Sequence, residues 1–348
     1  MTYTDISISH LATMPDIIIH LSHEQLEELL QKNKVVINMG SSDVFLPVHA
    51  LNQQGTTFFE FFEEQIEKLK KEGNQRTQET YKAALTKFRS FLKEKDILPS
   101  QLTSDLMEAY QVYLREHDLA MNTVSFYMRI LRAVYNKTVE LGMTEDHHPF
   151  RHVYTGMAKT SKRAISIKEI STLKNFTTCD KNLAFARDMF LFSFYTRGMS
   201  FVDMANLKKS DIQNGVLTYK RRKTGQHLNI RWEKKMQDII DKYASDTNEF
   251  LLPLIHKRNG KERNQYRNSQ TIINRNLKVI ARLSGISQKL TMYVARHSWA
   301  TIARQMKVPI EVISRGMGHT NQKTTEIYLK SIDINIIDEA NSRIINSV

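Results

Sequence analysis

Tyr293-Val-Ala-Arg-His-Ser-Trp-Ala-Thr301, Gly316-Met-Gly-His319 and Thr324-Thr-Glu-Ile-Tyr328 follow one another near the end of the chain. Together they set a guanidinium, an imidazole and a phenol at fixed intervals. A side-chain oxygen that attacks a phosphodiester needs an aligned nucleophile and donors for charge on the non-bridging oxygens. It also needs a proton acceptor and an acid for the departing 5′ oxygen. Tyr328 supplies a nucleophile whose ester keeps the bond energy for rejoining without ATP. Arg296 offers a planar fork matched to phosphate oxygens. His319 can hydrogen-bond a phosphate oxygen, and His297 adjoins the fork, with a plain structural role equally open to it.

Working backward along the chain, Arg221-Arg-Lys-Thr-Gly225 interrupts two alternating runs, Val216-Leu-Thr-Tyr-Lys220 and Leu228-Asn-Ile-Arg-Trp232. The alternation predicts a hairpin turning at Thr224-Gly225, with Lys223 projecting from its tip. Each of these residues has an ordinary reading when taken alone: a surface arginine, a half-buried aromatic anchor, a histidine beside a cap. Their order and joint spacing favour the chemical reading.

On these residues the chain resembles the tyrosine recombinases of the phage integrase family. Ala295-Arg-His-Ser-Trp-Ala-Thr301 is similar to that family's second-arginine motif. Gly316-Met-Gly-His319 with Thr324-Thr-Glu-Ile-Tyr328 is similar to its histidine-to-tyrosine motif, and Arg221-Arg-Lys-Thr-Gly225 to its hairpin-lysine motif. The resemblance spans roughly Thr57 to the C-terminus. It implies a site-specific recombinase that cuts and rejoins DNA through a 3′-phosphotyrosine link at Tyr328, with Lys223 as general acid. It also implies catalytic roles for Arg296, His319 and Arg197, four subunits assembled on two duplexes, and room for accessory DNA-bending proteins. Two positions depart from the family pattern. Tyr293 stands where a histidine is usual, and a phenol is a poor proton acceptor at neutral pH. The first arginine usually precedes an acidic residue by three positions. In Tyr195-Thr-Arg-Gly-Met-Ser-Phe-Val-Asp203 that place is Ser200, with Arg197 three residues further upstream. Three residues is close to one helical turn, so Arg197 is expected to reach the same pocket from the turn above. The Arg-Gly-Met-Ser-Phe-Val-Asp string is similar to the variant in integrases of Bacteroides-type mobile elements.

Composition agrees with a DNA partner. Across 348 residues, 50 Lys and Arg stand against 37 Asp and Glu, a net charge of +13. Such a surplus favours a polyanion, because each phosphate contact releases condensed counterions. No apolar run approaches the ~20 residues of a membrane span, and Met1-Thr-Tyr-Thr-Asp5 lacks the basic-then-apolar order of a signal peptide. The expected location is the cytoplasm. Cys179 is the only cysteine, which excludes an intrachain disulfide and a cysteine-based metal cage; it reads as a small, partly buried residue. There is no glycine-rich phosphate loop. No cofactor or metal is expected, and His147-His148 reads as plain loop.

The chain is long enough for two domains and an appendage, and the expected fold is mainly helical with a small β-sheet. Residues 1–55 carry an apolar patch at Ile17–Ile19, a short helix candidate from His23 to Lys34 and a strand at Val35, Val36 and Ile37. A DNA-contacting arm, a protein-docking arm and a structural cap are all open for them. Residues 56–150 show helical periodicity through Phe58, Phe62, Ile66, Leu69, Tyr81, Leu85, Phe88 and Leu92. Breaks at Gly73-Asn74 and Pro99-Ser100 predict four or five helices in a core-binding domain of the SAM-like type that the resemblance implies. Its last helix carries Arg129, Arg132 and Lys137, candidate DNA contacts. Residues 151–163 read as a linker. The catalytic domain is expected over 164–348, opening on a capping box at Ser166-Ile-Lys-Glu169. Arg221, Arg222, Lys257, Arg258, Arg263 and Arg267 are further candidate DNA contacts. A helical stripe through Ile336, Ile337, Ala340 and Ile344 can close the chain's own core or dock on a neighbouring protomer. A non-catalytic DNA-binding protein on the same fold and a type IB-like topoisomerase are the rival readings.

Overall fold

The computed structural model describes residues 3–8, 17–22, 34–38, 43–47, 55–158, 164–243, 249–321, 325–326 and 345. It divides into two compact units, Met1–Thr160 and Ser161–Val348.

The first unit begins with two antiparallel hairpins. β1 (Tyr3–Ile8) pairs with β2 (Ile17–Ser22), and β3 (Lys34–Asn38) with β4 (Asp43–Pro47). The expected strand at Val35–Ile37 lies within β3. The Ile17–Ile19 patch is also strand, in keeping with the β preference of branched side chains. The helix candidate from His23 falls outside the described residues until Lys34, where β3 begins.

Four helices follow: α1 (Phe58–Lys71), α2 (Gln75–Phe91), α3 (Ser104–Glu116) and α4 (Met121–Glu140). Thr57 starts α1 with a capping box, its hydroxyl accepting from the Glu60 amide at 3.4 Å while the Glu60 carboxylate accepts from the Thr57 amide at 3.0 Å. Asp96, from the loop before α3, reinforces that terminus by accepting from the Phe59 amide at 3.1 Å. Pro99-Ser-Gln101 makes only a single 3-10 turn, because proline fits a first helical position and the run is too short to continue. The core is strongly aromatic. Phe88 meets Phe58, Phe59, Phe91 and Tyr110 at centroid separations of 6.1, 6.0, 6.2 and 4.9 Å. α4 lies against α2 and α3 through Val124, Met128, Leu131, Val134 and Tyr135, all buried at helical spacing.

In the second unit Ser166 caps α5 (Ile167–Asn175) through the expected box with Glu169. α6 (Lys181–Tyr195) is buried at Ala186 and from Asp188 to Ser193 and runs through the centre of the unit, with α8 (Lys234–Tyr243), α9 (Glu262–Leu283) and α10 (Met292–Gln305) packed against it. A helix enclosed on most sides must satisfy any charge it carries. Asp188 does so by accepting from Arg187 at 2.7 Å, Lys242 at 3.1 Å and Tyr243 at 3.0 Å. After α6 comes the short α7 (Phe201–Ala205) and then a three-stranded antiparallel sheet. Its strands are β5 (Ile212–Gln213), β6 (Val216–Lys220) and β7 (His227–Arg231), with Leu217 opposite Ile230 facing the core. β6 and β7 realise the expected hairpin, and β5 adds a strand the alternation did not announce. α11 (Ile310–Gly316) completes the described helices of the unit. The mainly helical fold with one small sheet in this unit is the expected one. Cys179 is exposed in the loop after α5 rather than partly buried, because Phe176 ends that helix in extended conformation.

Candidate active site

Arg296 projects from the middle of α10 and is only 5 % exposed. Its guanidinium is fully engaged on one edge: Nη1 donates to the Gly198 carbonyl at 2.8 Å, and Nη2 to the Met317 carbonyl at 2.7 Å. Nη2 also lies 3.0 Å from Nε2 of His319. The other ring nitrogen, Nδ1, lies 2.7 Å from the hydroxyl of the fully buried Thr325. These contacts gather three segments distant in sequence: the end of α6, the body of α10 and the turn after α11.

Glycine makes the approach of those segments sterically possible. Gly198 has φ +70, and a Cβ there would sit 2.6 Å from Cα of Arg296, too close for any side chain. Gly318 has φ +66, and a Cβ would meet Leu228 at 2.8 Å and Arg221 at 3.0 Å. His319 is therefore carried on a left-handed turn pressed between α10 and the hairpin. Burial, then the cations Arg296, Arg221 and Lys223, push its imidazole down to about 4, so it is neutral at physiological pH.

Arg197 lies on a backbone different from the expected one. α6 ends at Tyr195, and Arg197 and Gly198 are both left-handed, at φ +61 and +70. Arg197 stands on a tight non-helical turn, not on a further turn of one helix. A Cβ on Gly316 would lie 3.7 Å from Cδ of Arg197, and the charges of Arg296, Arg221 and Arg197 all act on the buried hydroxyl of Tyr219, whose pKa burial raises. Ser200, which occupies the family's usual arginine place, caps α7 and donates to Asp203 at 2.6 Å. The other oxygen of Asp203 accepts from the Arg222 amide at 2.9 Å, so one buried carboxylate links the α7 terminus to the hairpin tip.

The tip itself splits in two. Arg222 and Lys223 are exposed, with Arg222 Nη1 donating to Asn206 at 3.0 Å. Arg221 is buried, and its Nη1 donates to the Gly318 carbonyl. Tyr293 stands one turn before Arg296, half exposed, with its ring edge-on to His297 at 4.6 Å. Tyr328 and the stripe through Ile336, Ile337, Ala340 and Ile344 lie outside the described residues.

The other candidate contacts are dispersed. In the first unit Arg129 and Arg132 are exposed on α4, while Lys137 is half-buried and donates to Gln65 at 2.9 Å, tying α4 to α1. In the second, Lys257 and Arg258 stand exposed before α9, with Arg258 paired to Glu249 at 3.2 Å. Arg267 is exposed on α9 and Arg263 half-buried. Sequence reasoning gave no role to Gly198, Gly318 or Thr325. The glycine before His319 and the Thr324-Thr325 pair were the available signals.

Comparison with known proteins bears on this arrangement. Residues 57–155 match the model described as the phage integrase SAM-like domain, and residues 163–333 match the phage integrase family model. The chain belongs to the phage integrase family. It is a tyrosine-type site-specific recombinase, an enzyme that cleaves and rejoins DNA. Among curated tyrosine recombinases it is 25 % identical to XerA of Pyrococcus furiosus over 223 residues, covering 62 % of this chain and 72 % of that one. It is 20 % identical to XerD of Listeria innocua over 245 residues, covering 66 % and 78 %. Its fold is similar to the Tn1549 transposon integrase in complex with a circular intermediate DNA, with TM-score 0.63, 14 % identity, and 82 % and 99 % of the two chains covered. It is also similar to a lambda integrase tetramer bound to a Holliday junction, with TM-score 0.61, 15 % identity, and 94 % and 93 % covered. No helix among the described residues of this recombinase is long and apolar enough to cross a membrane.

Proposed function

We propose that this recombinase cuts one DNA strand at a time with Tyr328 as nucleophile, at a specific double-stranded site and as a tetramer on two duplexes. The phenol gives its proton to water as its oxygen attacks the scissile phosphorus, the bond to the 5′ oxygen breaks, and a 3′-phosphotyrosine remains. Lys223 passes a proton to the departing oxygen. Arg296 and Arg197 stabilise charge on the non-bridging oxygens, with His319 bracing the Arg296 guanidinium through its ring nitrogen and Tyr293 offering a phenolic donor at the rim. Arg129, Arg132, Lys137, Arg222, Lys257, Arg258, Arg263 and Arg267 carry the duplex backbone. Neither a metal nor a nucleotide enters the reaction, which conserves the energy of the phosphodiester. We assign the enzyme to the integrases of Bacteroides-type mobile elements, acting in the cytoplasm, on its Arg-Gly-Met-Ser-Phe-Val-Asp string.

The observation that carries this reading is the junction of Arg296 with His319 at 3.0 Å beside the Lys223 hairpin. Its chemistry suits an anionic transition state, since preorganised cations act there with no reorganisation cost. The tetramer reading is supported by the similar lambda integrase, which forms a tetramer on a Holliday junction. A nicked suicide substrate tests the chemistry. The wild-type chain is expected to form a covalent protein–DNA adduct that Tyr328→Phe does not form. Binding without an adduct in the wild type would sink the proposal.

A further inference from the structure

We infer that Arg221 is a positioning residue, whose buried guanidinium straps the hairpin tip carrying Lys223 to the backbone turn that presents His319. The inference rests on the reading of Lys223 as the proton donor.

A basic tip reading Arg221-Arg222-Lys223 invites three equivalent phosphate contacts, and only two of these side chains reach the surface. Arg221 is 6 % exposed, against exposed neighbours on both later positions. Its Nη1 is committed to the Gly318 carbonyl, and its Nε is buried with no hydrogen-bond partner, so that donor is closed to a phosphate. A cation withdrawn from water in this way requires a fixed acceptor, and backbone carbonyls are acceptors that no rotamer change can remove.

The acceptor sits at a node. The adjacent carbonyls of Met317 and Gly318 are taken by arginines from different elements, Met317 by Arg296 of α10 and Gly318 by Arg221 of the hairpin. Thr224, on the far side of Lys223, aims its hydroxyl at the same Gly318 oxygen from 3.4 Å. The residues immediately around Lys223 are thus held from both sides: Arg221 and Thr224 by Gly318, and the Arg222 amide by Asp203 at 2.9 Å. The tip closes on itself through Arg221 N to Gln226 O at 2.7 Å and Gly225 N to Arg221 O at 2.8 Å. Gly318 lacks a side chain where one would collide with Arg221 and Leu228. With the turn pinned at three of its residues, Lys223 is delivered to the same cluster that Arg296 and His319 occupy. Its charge is already one of those acting on His319.

A substrate whose scissile 5′ bridging oxygen is replaced by sulfur separates positioning from contact, because a thiolate leaves without a proton donor. Arg221→Met is expected to slow cleavage of the oxygen substrate at least tenfold and to regain most of that loss on the sulfur substrate, as Lys223→Ala does. Arg221→Lys, which keeps one donor for the Gly318 carbonyl, is expected to fall between and serves if the methionine variant does not fold. A loss that persists on sulfur while Lys223→Ala is rescued would overturn the proposal, as would weaker DNA binding with a shallower salt dependence, the mark of a lost phosphate contact. Hydrogen exchange gives a readout independent of the proton-donor role. In the DNA-free chain Arg221→Met should speed exchange at the Arg222 and Gly225 amides and leave α6 and α10 protected, and unchanged tip exchange would overturn the strap. If Lys223→Ala gains nothing from sulfur, the proton-donor reading fails, and the exchange result alone decides whether the strap exists.

Discussion

The helical bundle of residues 58–140 and the unit that holds Arg296 are stabilised by different kinds of burial. Among the described residues of the bundle the buried polar side chains are Ser125 and Thr138, and the core is a mesh of phenylalanine and tyrosine rings. The other unit buries Asp188, Asp203, Arg221 and Arg296 along with several hydroxyls. Apolar contact is graded, so a bundle built on it loses stability in proportion to the atoms removed. A buried ion held by fixed partners is close to all-or-none, since removing one partner leaves the other desolvated and unsatisfied. The bundle is therefore organised for tolerance, and the site for definite geometry.

The sharpest break of that contrast lies at Phe88, which is fully buried among four rings. Phe88→Ala should cost about 4 kcal/mol in urea unfolding of the bundle, while the second unit unfolds at its wild-type midpoint. A cost below about 1 kcal/mol would mean that the core refills the space, and the graded picture would need revision. A somewhat smaller stability change with a larger functional one is expected at Gly198→Ala. The added methyl lies 2.6 Å from Arg296 Cα on a backbone at φ +70, so strain and overpacking together cost about 3 kcal/mol. Because the displaced group is Arg296, covalent adduct formation should fall well beyond what the lost folded fraction explains. Proportional loss of both would remove the distinction. The smallest effect concerns pH. His319 has a folded value of about 4 against an ordinary 6.5, so the unfolded chain takes up a proton that the folded chain refuses. Its contribution to stability is complete above about 6.5 and is lost as pH falls toward about 4. In His319→Gln the urea midpoint of the second unit should decline less steeply through that window, and parallel curves would count against the burial of a neutral imidazole.

Helix punctuation and the hairpin were readable because they depend on local chemistry. Ser166 and Glu169 lie within one turn, Gly73 and Pro99 act on their own backbone, and Val216–Lys220 alternates with a period of two. The pairing of Arg296 with His319 was expected because their interval is one that the resembled family keeps, not because spacing by itself brings two side chains together. Arg197 was readable as a candidate but not in its manner of arrival, since nothing short of backbone dihedrals distinguishes a helical turn from two successive left-handed residues. Arg221 was misleading for a longer-range reason. The in-and-out alternation of β6 carries one residue past its end and turns Arg221 inward, yet its acceptor, the Gly318 carbonyl, lies 97 residues away. Of the N-terminal hairpins, only the strand at Val35–Ile37 was expected, because short strands whose partners are near-neighbours carry little periodic signal.

The chain of contacts from Arg296 through His319 to Thr325 has a direction. A guanidinium can only donate, so Nε2 of His319 must accept; Nδ1 then carries the proton and donates to the Thr325 hydroxyl. That assignment makes the Thr325 hydroxyl the acceptor at the end of the chain. Protonating the imidazole would set two donors face to face and abolish the link at its first step. The arrangement thus orients the imidazole only while the ring is neutral, the state in which burial and the neighbouring cations hold it.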